Sequence, residues 1–174
     1  GRRAMSCIIL FAYLVPPAVL LVPYFHMMTT FGLIDSLLGL IVIYPTFTIP
    51  FSVLVLRAFF EGVPREFEEA AMVDGAGRIT TFFRILLPIS GPAIGTVAAY
   101  SFITSWIEYM FAFTIISSEW SKTVPVAVAH SVAAYHLNFA RLMTASFIST
   151  IPVLILFIPL TKYLMKGITL GMKG

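Results

Sequence analysis

The side chains able to do chemistry are few and widely spaced. Glu108 stands in a strongly apolar stretch, with Trp106 and Tyr109 beside it. A carboxyl group at membrane depth is costly unless it lines a cavity or meets a polar partner. Glu108 therefore reads as part of a solute path or, if it lies near the outer headgroups, as an ordinary interfacial residue. Trp106 and Tyr109 would supply the aromatic faces that sugar sites combine with a polar group. His26, His130 and His136 are scattered and read as loop or interface residues. Neither a His/Cys set with metal spacing nor a Gly-x-Ser-x-Gly elbow occurs. The phosphate-cradling Gly-x-x-x-x-Gly-Lys-Ser/Thr loop is also missing, so ATP must be bound by another chain. The expectation is a chain without catalytic residues, metal or cofactor of its own.

The elements that position these residues are set by the solvent. Of 174 residues, 59% are hydrophobic and 11% charged, against roughly 25% charged in ordinary soluble domains. A bilayer is the solvent that suits such a chain. Four uncharged stretches approach or exceed the ~20 residues needed to cross it: Ala4 to about Phe25, Ser36–Leu56, Ile85–Ile107 and Leu142–Thr161. With four spans, Arg2, Arg3, Arg57, Arg65, Arg78, Arg84, Lys162, Lys166 and Lys173 fall on one side, and only Lys122 and Arg141 on the other. That bias of nine to two marks the first side as cytoplasmic. The basic excess (net charge +3, pI near 9.2) thus reads as membrane topology rather than as a nucleic-acid surface.

A fifth uncharged stretch, 123–140, contains Pro125, His130, His136 and Asn138. Counting it as a span would weaken the charge bias, so 117–140 is expected to be an external loop with a short interfacial helix. Prolines recur in the spans (Pro16, Pro17, Pro45, Pro50, Pro152, Pro159) and predict bends, either as packing kinks or as hinges. The lone Cys7 lies in an apolar run, which excludes a disulfide framework. The opening Gly1-Arg2-Arg3, without a Met, is that of a fragment.

The loop between the second and third spans carries the most information. Pro64 suits a helix start, and Glu66, Glu68 and Glu69 favour its dipole. Phe67, Ala70 and Ala71 share one face, and Asp74-Gly75 reads as a stop with positive φ at Gly75. A second helix follows, with Ile79, Phe82, Phe83 and Leu86 on one face. Such a helix-turn-helix is elaborate for a connector. Its small Ala face would admit the surface of another protein, or its apolar faces could lie on the bilayer.

Glu69-Ala70-Ala71, Gly75, and Ile85 followed by Leu87-Pro88 resemble the cytoplasmic signature of permeases of binding-protein-dependent ABC importers. The tail Lys166-Gly167-Ile168-Thr169-Leu170-Gly171 and the phrase Trp106-Ile107-Glu108-Tyr109 are similar to the carbohydrate-uptake, maltose-type branch, although Ile107 stands where that branch has Asn. The resemblance implies an all-α polytopic transmembrane helical bundle of the type I importer permease fold. It would form one domain over 1–174, with a coupling loop at 61–88 and a cytoplasmic tail at 162–174. In that family the loop docks on an ATP-hydrolysing subunit, so Glu69, Ala70, Ala71, Asp74, Gly75, Ile85, Leu87 and Pro88 would carry the coupling. Lys166, Gly167 and Thr169 would touch the same ATPase, which holds ATP and Mg. The implied partners are an ATPase dimer, a second and different permease subunit, an external solute-binding protein and lipid; no nucleic acid is expected. The expected cargo is a sugar, and the expected place is the cytoplasmic membrane of a bacterium or archaeon. Spans upstream of residue 1 would complete the family's usual six.

Two other functions compete. An ABC permease could carry an amino acid, peptide or phosphate. An ion-coupled carrier would bury several charges in its spans, whereas only Glu108 is a candidate here, and it would have no use for the loop.

Overall fold

Proline and glycine decide where this chain turns. The computed structural model describes the backbone of residues 2–134 and 139–171, and the side chains of 4, 6–131, 139, 140 and 142–158. All described elements are helical. Helix α1 (Arg2–Leu14) ends before Val15-Pro16, and α2 (Pro17–Thr30) begins on Pro17, whose fixed φ suits a first helical position. Two successive prolines remove two amide donors and disfavour helical backbone in the residue ahead. The axes of the two helices accordingly diverge by 91°. The expected first span is therefore sharply broken rather than one straight helix.

Helices α3 (Leu37–Ile43) and α4 (Pro45–Glu61) follow almost without interruption. Ser36 caps the start, its Oγ accepting from the Leu38 amide at 3.2 Å. Together they form a 25-residue apolar helix, Leu37–Glu61, long enough to cross a membrane. The helices of the loop between the expected second and third spans are α5 (Glu66–Val73) and α6 (Arg78–Ile89), the latter widened to a π turn over Phe82–Leu86. At Ser90-Gly91-Pro92 the chain bends by 70° into α7 (Gly91–Trp106). Residues 85–89, expected in the third span, thus belong to the helix of the loop. Pro92 opens α7, for the same reason that Pro17 opens α2.

A break at Ile107–Tyr109 leads to α8 (Met110–Ile115), a loop, and α9 (Val124–Ala134). Helix α10 (Phe139–Gly171) is continuous over 33 residues and contains the apolar stretch Leu142–Ile158. The expected fourth span and the backbone of the expected tail as far as Gly171 thus form one helix. His136 and Asn138, and the side chains of Lys166 and Thr169, lie outside the described residues.

Buried apolar side chains gather where α2, α3, α8 and α9 meet: Met28, Leu40, Ile43, Phe111, Ile115 and Val126. Gly39 permits the closest approach there, since a Cβ would stand 2.5 Å from the Leu33 carbonyl oxygen. Elsewhere large apolar side chains face outward, Val22, Phe147 and Ile158 among them, as helices in lipid allow.

Candidate functional site

The helix-turn-helix of residues 61–89 is built by its backbone. Helix α5 carries Glu66, Glu68 and Glu69 in its first turn, where carboxylates oppose the positive end of the dipole. It begins at Glu66, so Pro64 stands just outside it. Gly75 adopts φ +80°. Its amide donates to the Met72 carbonyl at 3.0 Å, and the Ala76 amide donates to the Ala71 carbonyl at 2.9 Å. These two bonds form a Schellman turn, which satisfies carbonyls the helix end would otherwise leave open. A Cβ at Gly75 would meet nothing within 4 Å, so the requirement for glycine there comes from the backbone alone.

The two motif alanines part company. Ala70 is exposed, whereas Ala71 is 4% exposed, the one buried residue of α5, which packs against α6. The expected small face is therefore half outward and half inward. The outward apolar surface is instead supplied by Phe67, Met72, Val73 (88% exposed), Ile79 (76%) and Phe83. Thr81, also buried, donates through Oγ1 to the Gly77 carbonyl at 3.1 Å and fixes the start of α6. Glu69 faces a cleft of about 820 Å³ shared with Arg57, Glu61, Arg65 and Glu68. Across one wall of it Arg57 pairs with Glu61 at 2.7 Å. Asp74 sits at the C-terminal cap of α5 and is exposed. Ile85, Leu87 and Pro88 lie in the last turns of α6, before the bend at Ser90. The Ser90 hydroxyl is fully buried and donates to the Leu87 carbonyl at 2.8 Å.

Trp106, Glu108 and Tyr109 do not converge. The Trp106 indole donates from Nε1 to the Ser149 carbonyl at 3.0 Å, which ties α7 to α10. The Tyr109 ring stacks on Phe113 at 5.3 Å. Glu108 turns the other way and serves the helix break. Its Oε1 accepts from the Phe111 amide at 2.8 Å, and its Oε2 from the Ala112 amide at 3.1 Å. The Tyr44 hydroxyl adds a third bond to Oε2 at 3.2 Å. Glu108 thus satisfies amides at the start of α8 where water is scarce, and it also borders a cavity with Tyr13, Thr46, Phe47, Tyr100 and Thr104. Sequence reasoning missed these cavity residues, because Thr and Tyr in apolar helices carry no pattern of their own.

It also missed Asp35, at the opposite end from the loop. Asp35 holds φ +56°, and its amide donates to the Ile115 carbonyl at 2.9 Å. Its Oδ1 accepts from the amides of Ser117 and Ser118 at 2.9 and 2.8 Å. The Ser118 bond first, then that of Ser117, holds the Asp35 carboxyl below its ordinary range. Nearby, Lys122 bonds Glu119 and also meets His130 Nδ1 at 3.3 Å. The lysine keeps the Glu119 carboxyl low as well.

The described residues thus form only helices, among them a membrane-length apolar helix, two sharply bent helix pairs and a self-capped loop. Residues 1–169 match the family described as binding-protein-dependent transport system inner membrane component, and the chain belongs to that family. It is similar to the putative ABC transporter permease protein ORF1 of Streptomyces antibioticus, with 32% identity over 98% of this chain and 75% of the relative. The trehalose/maltose transport system permease protein MalG of Thermococcus litoralis is 36% identical, over 91% of this chain and 58% of its own length. The arabinooligosaccharides transport system permease protein AraQ of Bacillus subtilis is 30% identical over 98% of this chain and 60% of its own. Among solved structures, a bacterial ABC transporter involved in the import of the acidic polysaccharide alginate matches with a TM-score of 0.71. That match has 26% identity and covers 94% of this chain and 62% of that one. The chain thus spans about three fifths of the length of most of these relatives. It is a transport component rather than an enzyme.

Proposed function

We propose that this chain forms part of the translocation path of an ATP-driven sugar importer, and that loop 61–88 couples it to a separate ATP-binding subunit. The observation that carries the reading is the self-capped helix-turn-helix around Gly75, which holds Phe67, Met72, Val73, Ile79 and Phe83 outward on a segment outside the spans. A docking element needs this combination of fixed backbone and exposed apolar anchors. The names of the relatives, maltose, trehalose and arabinooligosaccharide permeases, favour sugar over an amino acid, peptide or phosphate.

On this reading the chain crosses the inner membrane four times. The bent pair α1–α2, and α7 with the last turns of α6, would each supply one crossing, beside Leu37–Glu61 and the apolar part of α10. Loop 61–88 and tail 162–174 face the cytoplasm, and 117–140 faces outside, in keeping with the basic asymmetry. Glu69, Ala70, Asp74, Gly75, Ile85, Leu87 and Pro88 shape or present the docking surface, with Ala71 packed inside it. Lys166, Gly167 and Thr169 would reach the same ATPase dimer, which binds ATP and Mg. A different second permease subunit and an external solute-binding protein complete the transporter.

The test is reconstitution of the full-length protein with its genomic neighbours in proteoliposomes, followed by uptake of a panel of radiolabelled sugars and amino acids. ATP-dependent accumulation of a sugar, lost when the ATPase is omitted, is expected. Accumulation driven by an ion gradient without ATP refutes the proposal.

A further inference from the structure

The cavity that Glu108 borders lies between the 91° bend of α1–α2 and the break at Ile107–Tyr109. Its volume is about 370 Å³, at the small end of the ~300–1,000 Å³ range of ligand pockets. Val15 and Pro17 form its edge at the bend, and Tyr13, Thr46, Phe47, Tyr100 and Thr104 form its walls with Glu108. Each polar group has capacity left over. A carboxylate offers about four acceptor sites, and Glu108 has three of them filled, by the Phe111 and Ala112 amides and the Tyr44 hydroxyl. Thr46 Oγ1 shares one hydrogen bond with the Tyr24 hydroxyl at 2.8 Å. A hydroxyl can make about three, so Thr46 can still bond a ligand. The hydroxyls of Tyr13, Tyr100 and Thr104 add three more groups to the walls, each able both to donate and to accept.

The ligand chemistry follows from this inventory. Acceptors outnumber donors on the walls, so the occupant should bring several donors. Among the described residues no basic side chain lines the cavity, so an anion would meet Glu108 without a counter-charge there. The Glu108 carboxyl is already held by three donors, and a cation gains little from it. The aromatic walls are firm. Tyr100 lies against Phe51 at 3.9 Å between ring centroids, and Phe47 against Phe111 at 5.0 Å, which offers flat apolar faces beside the hydroxyls. We infer that this cavity is a binding subsite for one ring of a neutral, hydroxyl-rich sugar, with Thr104, Tyr100 and the free Glu108 lone pair bonding its hydroxyls. The inference rests on the proposed sugar import and places a cargo contact within this chain.

The intact transporter is reconstituted and offered maltose, trehalose and diacetylchitobiose, and a diazirine derivative is made of the one it imports. Photolabelling should mark the α1 or α7 peptide that contains Tyr13 or Tyr100–Thr104, and excess unlabelled sugar should suppress it. Thr104→Val removes one hydroxyl at nearly constant volume. It should lower labelling and uptake about fivefold, the worth of one hydrogen bond, without changing the affinity of the isolated binding protein. Thr104→Ser should restore both. Label found only on other chains, wild-type uptake in Thr104→Val, or a serine variant as poor as valine would overturn the subsite while leaving sugar import standing. A wild-type complex that imports none of the three sugars overturns the sugar reading, and the subsite with it.

Discussion

Gly75 offers the sharpest test of how the loop works. Its φ of +80° is a conformation that a side chain disfavours, by roughly 1–2 kcal/mol for alanine and more for a β-branched residue. Nothing within 4 Å would meet the added Cβ, so no packing term enters within this chain. The energy at stake also includes the two Schellman hydrogen bonds, from Gly75 to Met72 and from Ala76 to Ala71, at about 1 kcal/mol each. A loss of 1.4 kcal/mol changes a population tenfold. Gly75→Ala should therefore reduce the correctly folded loop by about five- to thirtyfold relative to its open forms, and Gly75→Val by more. Asn tolerates the left-handed region, so Gly75→Asn should recover most of the activity. The assay is binding-protein-stimulated ATP hydrolysis and uptake by the reconstituted transporter, normalised to the amount of permease in the membrane. The predicted order is Gly, then Asn, Ala and Val. Full coupling in the Val variant would refute a role for the turn. An Asn variant as poor as Val would show that any side chain there collides with a partner, so that backbone conformation is not the cause.

Ala71→Leu should act inside the loop, because Ala71 is buried against α6; overpacking costs roughly 1–3 kcal/mol, and limited proteolysis of the permease without its ATPase should show a loosened 61–89 segment. Glu108→Gln puts an amide donor against the Phe111 or Ala112 amide, so at least one charge-assisted bond of about 1.5–3 kcal/mol is lost. The purified protein should then melt at a lower temperature; an unchanged Tm would show that the break does not depend on this cap. The Asp35 carboxyl lies below its ordinary pKa of about 3.9, so its contribution is fully present above that value and lost as pH falls through the lower folded one. Hydrogen exchange at the Ser117 and Ser118 amides, corrected for intrinsic rates, should accelerate below about pH 4 in the wild type. In Asp35→Asn, which keeps an acceptor but cannot titrate, it should not.

The loop was the legible part of this sequence, and the bends were not. Asp74-Gly75 announced a positive-φ stop, and the structure puts φ +80° there. Helix class and apolar length could be read because lipid leaves few alternatives for an uncharged run. Pro16-Pro17 predicted a bend but not its 91°, and Ser90-Gly91-Pro92 was passed over inside a run whose lack of charge suggested one straight span. The face of Ala70 and Ala71 was assigned outward as a unit. Successive residues of a helix are rotated by about 100°, so adjacent residues differ in exposure as soon as a second helix returns alongside. Glu108 was conspicuous as a carboxyl in an apolar stretch, yet its partners, the Tyr44 hydroxyl and two amides, come from a helix far away in sequence and from a break that no local pattern marks.

The distribution of burial separates a well-packed end from an end with little core. The cluster of Met28, Leu40, Ile43, Phe111, Ile115 and Val126 joins α2, α3, α8 and α9, and the Asp35 clasp pins the loop at 117–118 to the same end. Within loop 61–88 only Ala71 and Thr81 are buried, and Phe67, Met72, Val73, Ile79 and Phe83 point away from the chain. With so little core, the shape of the loop depends on local backbone bonds: the Schellman turn at Gly75, the Thr81–Gly77 contact and the π turn of α6. The loop connects to the bundle through α4 and the 70° bend at Ser90, and the Phe82 ring of α6 lies 6.4 Å from the Phe60 ring of α4. Helix α7 ends at Trp106, which is bonded to α10, and next to Glu108, which caps the following helix. On the proposed coupling, a displacement of the loop would reach α7 through that bend and shift the wall of the Glu108 cavity that Tyr100 and Thr104 supply.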